Sequence, residues 1–215
     1  MKGDSIVIEK HHRQAAREIH NHLAAQLVPD RRHVISIAGE SGSGKSETAA
    51  ALAEVLKEAA VPAGILQQDD YFVLPPRSND ARRRQEIAWV GPGEVRLDLM
   101  DEHLLAFVRG AQTLKKPLVI YAEDLIDTET MDCRGLSVLI VEGTYTTLLK
   151  HVDWRVFIDR DWEQTREHRE RRQRDASELD PFLDKVLSIE HSIISSHKPR
   201  AELIVDDDYH VQRPD

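Results

Sequence analysis

Gly39-Glu40-Ser41-Gly42-Ser43-Gly44-Lys45-Ser46 is the stretch that decides the fold of this chain. It matches G-x-x-x-x-G-K-[ST] and has the flanks that pattern needs. Val34-Ile35-Ser36-Ile37-Ala38 before it reads as a short buried strand, and Glu47 to Lys57 after it reads as a helix. The spacing has a chemical reason. Gly39, Gly42 and Gly44 admit backbone conformations closed to residues with a Cβ, so successive N–H groups can turn inward on phosphate oxygens. The helix that starts there adds its positive end. Lys45 is placed to bridge the β- and γ-phosphates, and Ser46 to set its hydroxyl on Mg²⁺. Glu40, Ser41, Ser43 and Glu47 complete the expected nucleotide-binding run. The bland alternative is a glycine-rich turn with a chance lysine. On its own the loop specifies a nucleoside triphosphate and nothing about an acceptor.

Outward from the loop, short apolar strands alternate with helices. Ile65-Leu66-Gln67, Val138-Leu139-Ile140-Val141, Val156-Phe157-Ile158 and Leu203-Ile204-Val205 read as buried strands, and Leu118 to Tyr121 as strand-like. Helices are expected over Leu99–Val108, Asp161–Arg174 and Pro181–Ser196, with Pro75 to Gly93 a loop carrying a short helix. Such alternation implies a parallel sheet covered on both faces, a three-layer α/β sandwich with about five parallel strands. Ahead of it, Ala15, Ala16, Ile19, Leu23 and Leu27 form a helical stripe, ended by Pro29-Asp30. His11, His12, His20 and His22 lie along that helix; no metal-ligand spacing completes a site there, and a solvated face is the better reading.

Acids at strand ends suggest chemistry beyond binding. Gln67-Gln68-Asp69-Asp70-Tyr71-Phe72 follows the second strand directly, at the rim where parallel sheets bind ligands. Asp69 there can take a proton from an acceptor hydroxyl and touch the metal, while Asp70 and Tyr71 suit a polar substrate held against a ring. The alternative is a solvated Asp-Asp turn. Val141-Glu142-Gly143 ends an apolar strand in an acid, where P-loop enzymes hold Mg²⁺, so Glu142 joins Ser46 and Asp69 as a metal candidate. Arg166, Arg169, Arg171, Arg172 and Arg174 crowd one segment, with Arg166 and Arg169 best placed to neutralise the transferring phosphoryl group. Glu163, Glu167 and Glu170 among them would make part of the run an exposed ion-paired helix.

Composition narrows the class. Hydrophobic residues are 40% and charged residues 31%, as in folded domains, and the net charge of −9 argues against a non-specific nucleic-acid binder. A single cysteine, Cys133, excludes an intrachain disulfide. No apolar run approaches the roughly 18–20 residues a membrane helix needs, and Met1-Lys2-Gly3-Asp4-Ser5 leads into no signal-peptide core. The expected location is the cytoplasm.

The Walker-type loop, Gln68-Asp69-Asp70-Tyr71-Phe72, Val141-Glu142-Gly143-Thr144-Tyr145 and the arginine run ending Arg174-Asp175 come in an order that resembles the uridine kinase/phosphoribulokinase-like P-loop kinases. The resemblance runs from about Val34 to Tyr209 and is nearest to pantothenate kinase and fructokinase-like members. It implies the P-loop nucleoside triphosphate hydrolase fold, ATP and Mg²⁺ as cofactors, Asp69 as general base, Glu142 with Ser46 on the metal, and Arg166 to Arg174 in a lid over ATP. The family's N-F-D-H-P-type segment is replaced here by Gly93-Glu94-Val95-Arg96-Leu97-Asp98. That departure tilts the acceptor from nucleosides toward a sugar-like or acid molecule.

The expected organisation is one kinase domain over residues 1–215, with an N-terminal helix within 1–30, a substrate flap over 75–132 and a lid over 162–181. Acceptor contacts are expected from Asp70, Tyr71, Arg96, Asp98 and Tyr121. The function to test is ATP-dependent phosphorylation of a hydroxyl on a small sugar-like, vitamin-like or nucleoside metabolite. A uridine/cytidine-type kinase and a regulatory ATPase without an acceptor are the alternatives. Membrane contact is not expected, nucleic acid is disfavoured, and a homo-oligomer is left open.

Overall fold

The computed structural model describes residues 6–162 and 181–214. Its first strand, β1 (His33–Gly39), is buried along its whole length, which is why this segment reads as a continuous apolar run rather than an alternating one. The chain begins with α1 (Lys10–Leu23), and α2 (Lys45–Glu58) starts where the glycine loop ends. Then come β2 (Ala63–Gln67), α3 (Pro76–Gln85) and α4 (Leu97–Val108). Next are β3 (Thr113–Ile120), β4 (Leu125–Asp132), β5 (Val138–Glu142) and β6 (Trp154–Ile158). The series closes with α5 (Pro181–Ser195), β7 (Leu203–Val205) and β8 (Val211–Gln212).

Among the described residues the main sheet has six strands, in the order β2-β5-β1-β6-β7-β8. The first five are parallel and are the five anticipated; β8 adds an antiparallel edge. Side chains alternate between two cores, as strand geometry demands. Ile35, Ile37, Val138, Ile140, Val156, Ile158, Leu203 and Val205 face α1 and α2. Val34, Ala38, Leu139, Val141, Phe157 and Ile204 face the other side, against Met100, Leu104 and Phe107 of α4 and Ile194 of α5. Three layers result.

Two expectations change. The strand anticipated at Leu118–Tyr121 is the end of β3, which leaves the main sheet and pairs with β4 as a separate antiparallel hairpin, from Thr113↔Asp132 to Ile120↔Leu125. Within α1, His12 is completely buried rather than solvated, alongside Ala15, Ala16 and Ile19. Of the anticipated helix over Asp161–Arg174, and of the lid, nearly all lies outside the described residues. No helix among the described residues is long and apolar enough to cross a membrane.

Candidate functional site

Register alone brings the strand-end residues level. In the parallel ladder Gln67 pairs with Glu142, and Ile37 with Glu142 on the other side, so the carboxyl ends of β2, β5 and β1 open side by side. The phosphate loop leaves β1 at this rim. Gly44 sits at φ +90° with its α-carbon under two side chains: an added Cβ would stand 2.8 Å from Tyr209 Oη and 2.9 Å from His12 Nε2. Only glycine fits there.

Those two side chains explain the buried His12. Glu9 N–H donates to His12 Nδ1 at 3.0 Å, leaving Nε2 to carry the proton toward His11 Nε2, 3.1 Å away. The Tyr209 ring packs on both imidazoles, with centroids 4.2 Å from His11 and 5.3 Å from His12. Its hydroxyl donates to Ser43 O at 3.3 Å and accepts from Arg160 Nη1 at 2.8 Å. The loop is therefore braced from behind by both ends of the chain. No local pattern in the sequence signalled this.

Inside the loop, Lys45 Nζ donates to Glu40 O at 2.8 Å, so the lysine arches over the cradle. Glu40 contributes backbone to the cradle while its side chain points elsewhere. It accepts from Trp162 N–H at 2.8 Å and meets His191 Nδ1 of α5 at 2.6 Å. Burial pushes its carboxyl above the usual range. Ser43 and Glu47 are buried and Ser41 is half-buried.

Glu142 lies at the centre. It accepts from Ser46 Oγ at 3.1 Å and Gln67 Nε2 at 3.3 Å. Burial first, and then the negative charge of Asp69, push its carboxyl up to about 7. Among the described residues, Lys45 is the cation that offsets Glu142 and the nearby Asp69. With the Ser46 hydroxyl, the two carboxylates suit a hard divalent cation that also takes phosphate oxygens. The Gly143 that follows has φ +156°, and a Cβ on it would overlap Gln68 Cβ at 2.2 Å. Gln68 is wholly buried and accepts from Tyr145 N–H at 2.7 Å, which fixes the turn that presents Asp69.

The acceptor-side residues fare unequally. A cavity of about 590 Å³ opens beside Ser46 and Glu142, lined also by Gln67, Asp70, Lys116 and Glu129. Asp70 is on its wall but committed within the protein, accepting from Lys116 Nζ at 2.7 Å and Val119 N–H at 3.0 Å. It clamps the β3–β4 hairpin to the end of β2. Tyr71 departs from the solvent-facing ring expected of it: it is fully buried, with its hydroxyl 2.6 Å from His103 Nδ1, and it does not line this cavity. Arg96 and Asp98, both exposed near the start of α4, and Tyr121, at the hairpin turn, do not line this cavity. Arg166 and Arg169 lie outside the described residues.

Sequence reasoning missed two groups. One is Lys116 with Glu129, which face each other across the hairpin register. The other is a buried network beneath the flap. Glu94, with no exposed surface, accepts from Arg83 Nε at 2.5 Å, Asn79 Nδ2 at 2.5 Å and Gly91 N–H at 2.8 Å. Arg83 Nη2 also donates to Glu190 Oε1 at 2.9 Å. Glu190 neighbours the His191 that holds Glu40, so one chain of contacts joins α3, α5 and the phosphate loop.

A model of the phosphoribulokinase/uridine kinase family matches residues 34–199. Among curated proteins, the bifunctional alpha-galactosidase/sucrose kinase AgaSK of Mediterraneibacter gnavus is 32% identical over 191 residues, covering 83% of this chain and 20% of that protein. The chain thus spans about a fifth of that relative's length. Among solved structures, a protein of Bacillus stearothermophilus described as a possible uridine kinase superposes with TM-score 0.65 at 18% identity, covering 89% of this chain and 97% of that one. D-glycerate 3-kinase of Cryptococcus neoformans var. grubii gives TM-score 0.63 at 14% identity, covering 96% and 100%. At such identities these two likenesses show the fold.

Proposed function

Because the chain belongs to the phosphoribulokinase/uridine kinase family, we propose that it transfers the γ-phosphoryl group of ATP to a hydroxyl of a small soluble metabolite. The observation that carries this is the convergence of Lys45, Ser46 and Glu142 at one rim, with Asp69 acting on Glu142 and a cavity opening alongside. A nucleotide-dependent switch needs no such cavity beside its metal acids.

Residues 1–215 act as one kinase domain, with the 75–132 flap on the acceptor side and 162–181 as the lid. The loop N–H groups and Lys45 bind the β- and γ-phosphates. Asp69 receives the proton of the attacking hydroxyl as that oxygen bonds to the γ-phosphorus and the bridging bond to ADP breaks. Ser46, Glu142 and Asp69 would hold Mg²⁺, which when bound supplies charge neutralisation on the triphosphate. Catalysis on this scheme is largely positioning and electrostatics. The sucrose kinase relative favours a sugar-like acceptor over a nucleoside. The reaction would run in the cytoplasm, where ATP is plentiful.

The test is ADP release with Mg-ATP and a library of sugars, polyols, vitamins and nucleosides. At least one acceptor class should raise release above the no-acceptor rate, and Asp69→Asn should cut the increment by about 10²–10⁴. Release unaffected by every acceptor and by Asp69→Asn would favour a regulatory ATPase instead.

A further inference from the structure

One wall of the cavity is built around a buried cation, Lys116. Lys116 of β3 is 5% exposed. Its ammonium has three donors, and the protein supplies three acceptors: Asp70 Oδ2 at 2.7 Å, Glu129 Oε1 at 2.6 Å and Pro117 O at 3.2 Å. Asp70 is 2% exposed. Were Lys116 to turn toward an anionic ligand, the buried Asp70 carboxylate would lose its cation and keep Val119 N–H, a costly exchange that disfavours Lys116 as an anion receptor.

The rest of the lining has the opposite sign or none. Among the described residues that line it, Asp70 and Glu129 share the one ammonium of Lys116, and Glu142 sits beside Lys45 at the metal-site end, which leaves the Lys116 wall with one carboxylate in excess. Ile6, Ile65 and Leu118 give an apolar wall, and Gln67 an amide. Glu129 is the exposed member, with 42% of its side chain accessible. A carboxylate offers about four lone-pair sites, of which Lys116 takes one on Glu129, so it can accept further hydrogen bonds. An acceptor carrying its own carboxylate or phosphate would add like charge to this wall, close to the triphosphate. A neutral molecule rich in hydroxyls presents donors to the acids and C–H faces to the apolar side.

We infer that the acceptor is a neutral polyhydroxylated molecule of the saccharide or polyol class, its hydroxyls read by Glu129, with Lys116 as the positioning residue. This rests on the kinase function proposed above and narrows it: of the sugar-like and acid acceptors anticipated from the sequence, the charge of the wall selects the first. The Lys116–Asp70 clamp holds the hairpin at the cavity, and Glu129 sets the preference.

The experiment uses the full chain with Mg-ATP and matched neutral and anionic acceptors: glycerol and D-glycerate, D-glucose and D-gluconate, D-fructose and D-fructose 6-phosphate, sucrose and sucrose 6-phosphate. ADP release gives kcat/KM for each member. Within the best-used pair the neutral member should lead at least tenfold. Glu129→Gln should cut that ratio at least fivefold, through acceptor KM, with ATP KM within twofold of the parent. Lys116→Met is expected to loosen the hairpin, so the exposed Glu129 carries the test, with circular dichroism as the check on its fold. Preference for the anionic member, or a ratio that Glu129→Gln leaves unchanged, would overturn the assignment while leaving kinase function standing. No ADP release above background with any pair would overturn the saccharide assignment, and kinase function would fall with it only if the vitamins and nucleosides of the wider library also failed.

Discussion

Replace Arg83 by methionine and two buried carboxylates lose the cation between them. Glu94 has no exposed surface, the Glu190 side chain is 12% exposed, and Arg83 itself is 15% exposed. Methionine keeps most of the arginine stem's volume, so the loss is of charge and hydrogen bonds rather than packing. Breaking a buried pair by removing one partner costs about 3–5 kcal/mol. The pH dependence follows from Glu190. Burial raises its carboxyl in the folded protein, and Arg83 opposes that shift. Without Arg83 the carboxyl moves further up, the folded state binds more protons than the unfolded, and stability falls as pH rises above the unfolded value of about 4.3. Protonation limits the penalty: at pH 7 it is capped near 2.7 pH units at about 1.36 kcal/mol each, or about 3.7 kcal/mol for one carboxylate. At pH 5 the same cap is about 1 kcal/mol. Urea unfolding followed by circular dichroism should therefore show Arg83→Met shifted down by about 1–2 M at pH 7, taking a slope of about 2–3 kcal/mol per M. The gap from the parent should narrow markedly at pH 5. A loss below about 0.5 kcal/mol at pH 7, the level of an ordinary surface change, would refute the reasoning. So would a penalty equal at both pH values.

Lys45→Ala should leave the circular dichroism spectrum intact and bring phosphoryl transfer below detection; near-normal turnover would remove the central role of the loop. Asp69→Asn should lower kcat by about 10²–10⁴ with ATP KM within a few-fold. Glu142→Gln should instead raise the Mg²⁺ concentration needed for half-maximal rate. If magnesium restores Asp69→Asn fully and does nothing for Glu142→Gln, the two acids have been assigned in reverse. Gly143→Ala must push its Cβ away from Gln68, and with the strained φ should cost about 1–3 kcal/mol or more, read as a lowered thermal midpoint. An unchanged midpoint would show that the turn relaxes freely.

Part of the fold and of the candidate site is encoded between near neighbours in the chain. The glycine spacing of Gly39–Ser46, the buried runs at Val34–Ala38 and Val138–Val141, and the acids that end those strands are local signals. A parallel sheet then brings strand ends to one rim, which is why Lys45, Ser46, Asp69 and Glu142 could be grouped before any coordinates. The rest depends on partners far apart in the chain. Lys116 reaches Asp70 across 46 residues, Arg83 reaches Glu190 across 107, and Tyr209 reaches Ser43 across 166. None of these contacts leaves a periodic trace. β4 was hidden because Leu125-Ile126-Asp127-Thr128-Glu129-Thr130-Met131-Asp132 lies half in water and has no apolar run. Tyr71 and Asp98 were both expected on the acceptor side, and the fold buries the first and exposes the second. Burial of the first and the outward placement of the second follow from how α4 and the hairpin pack on the sheet. Local chemistry names the groups that can react; the packing of distant segments decides which of them share a cavity.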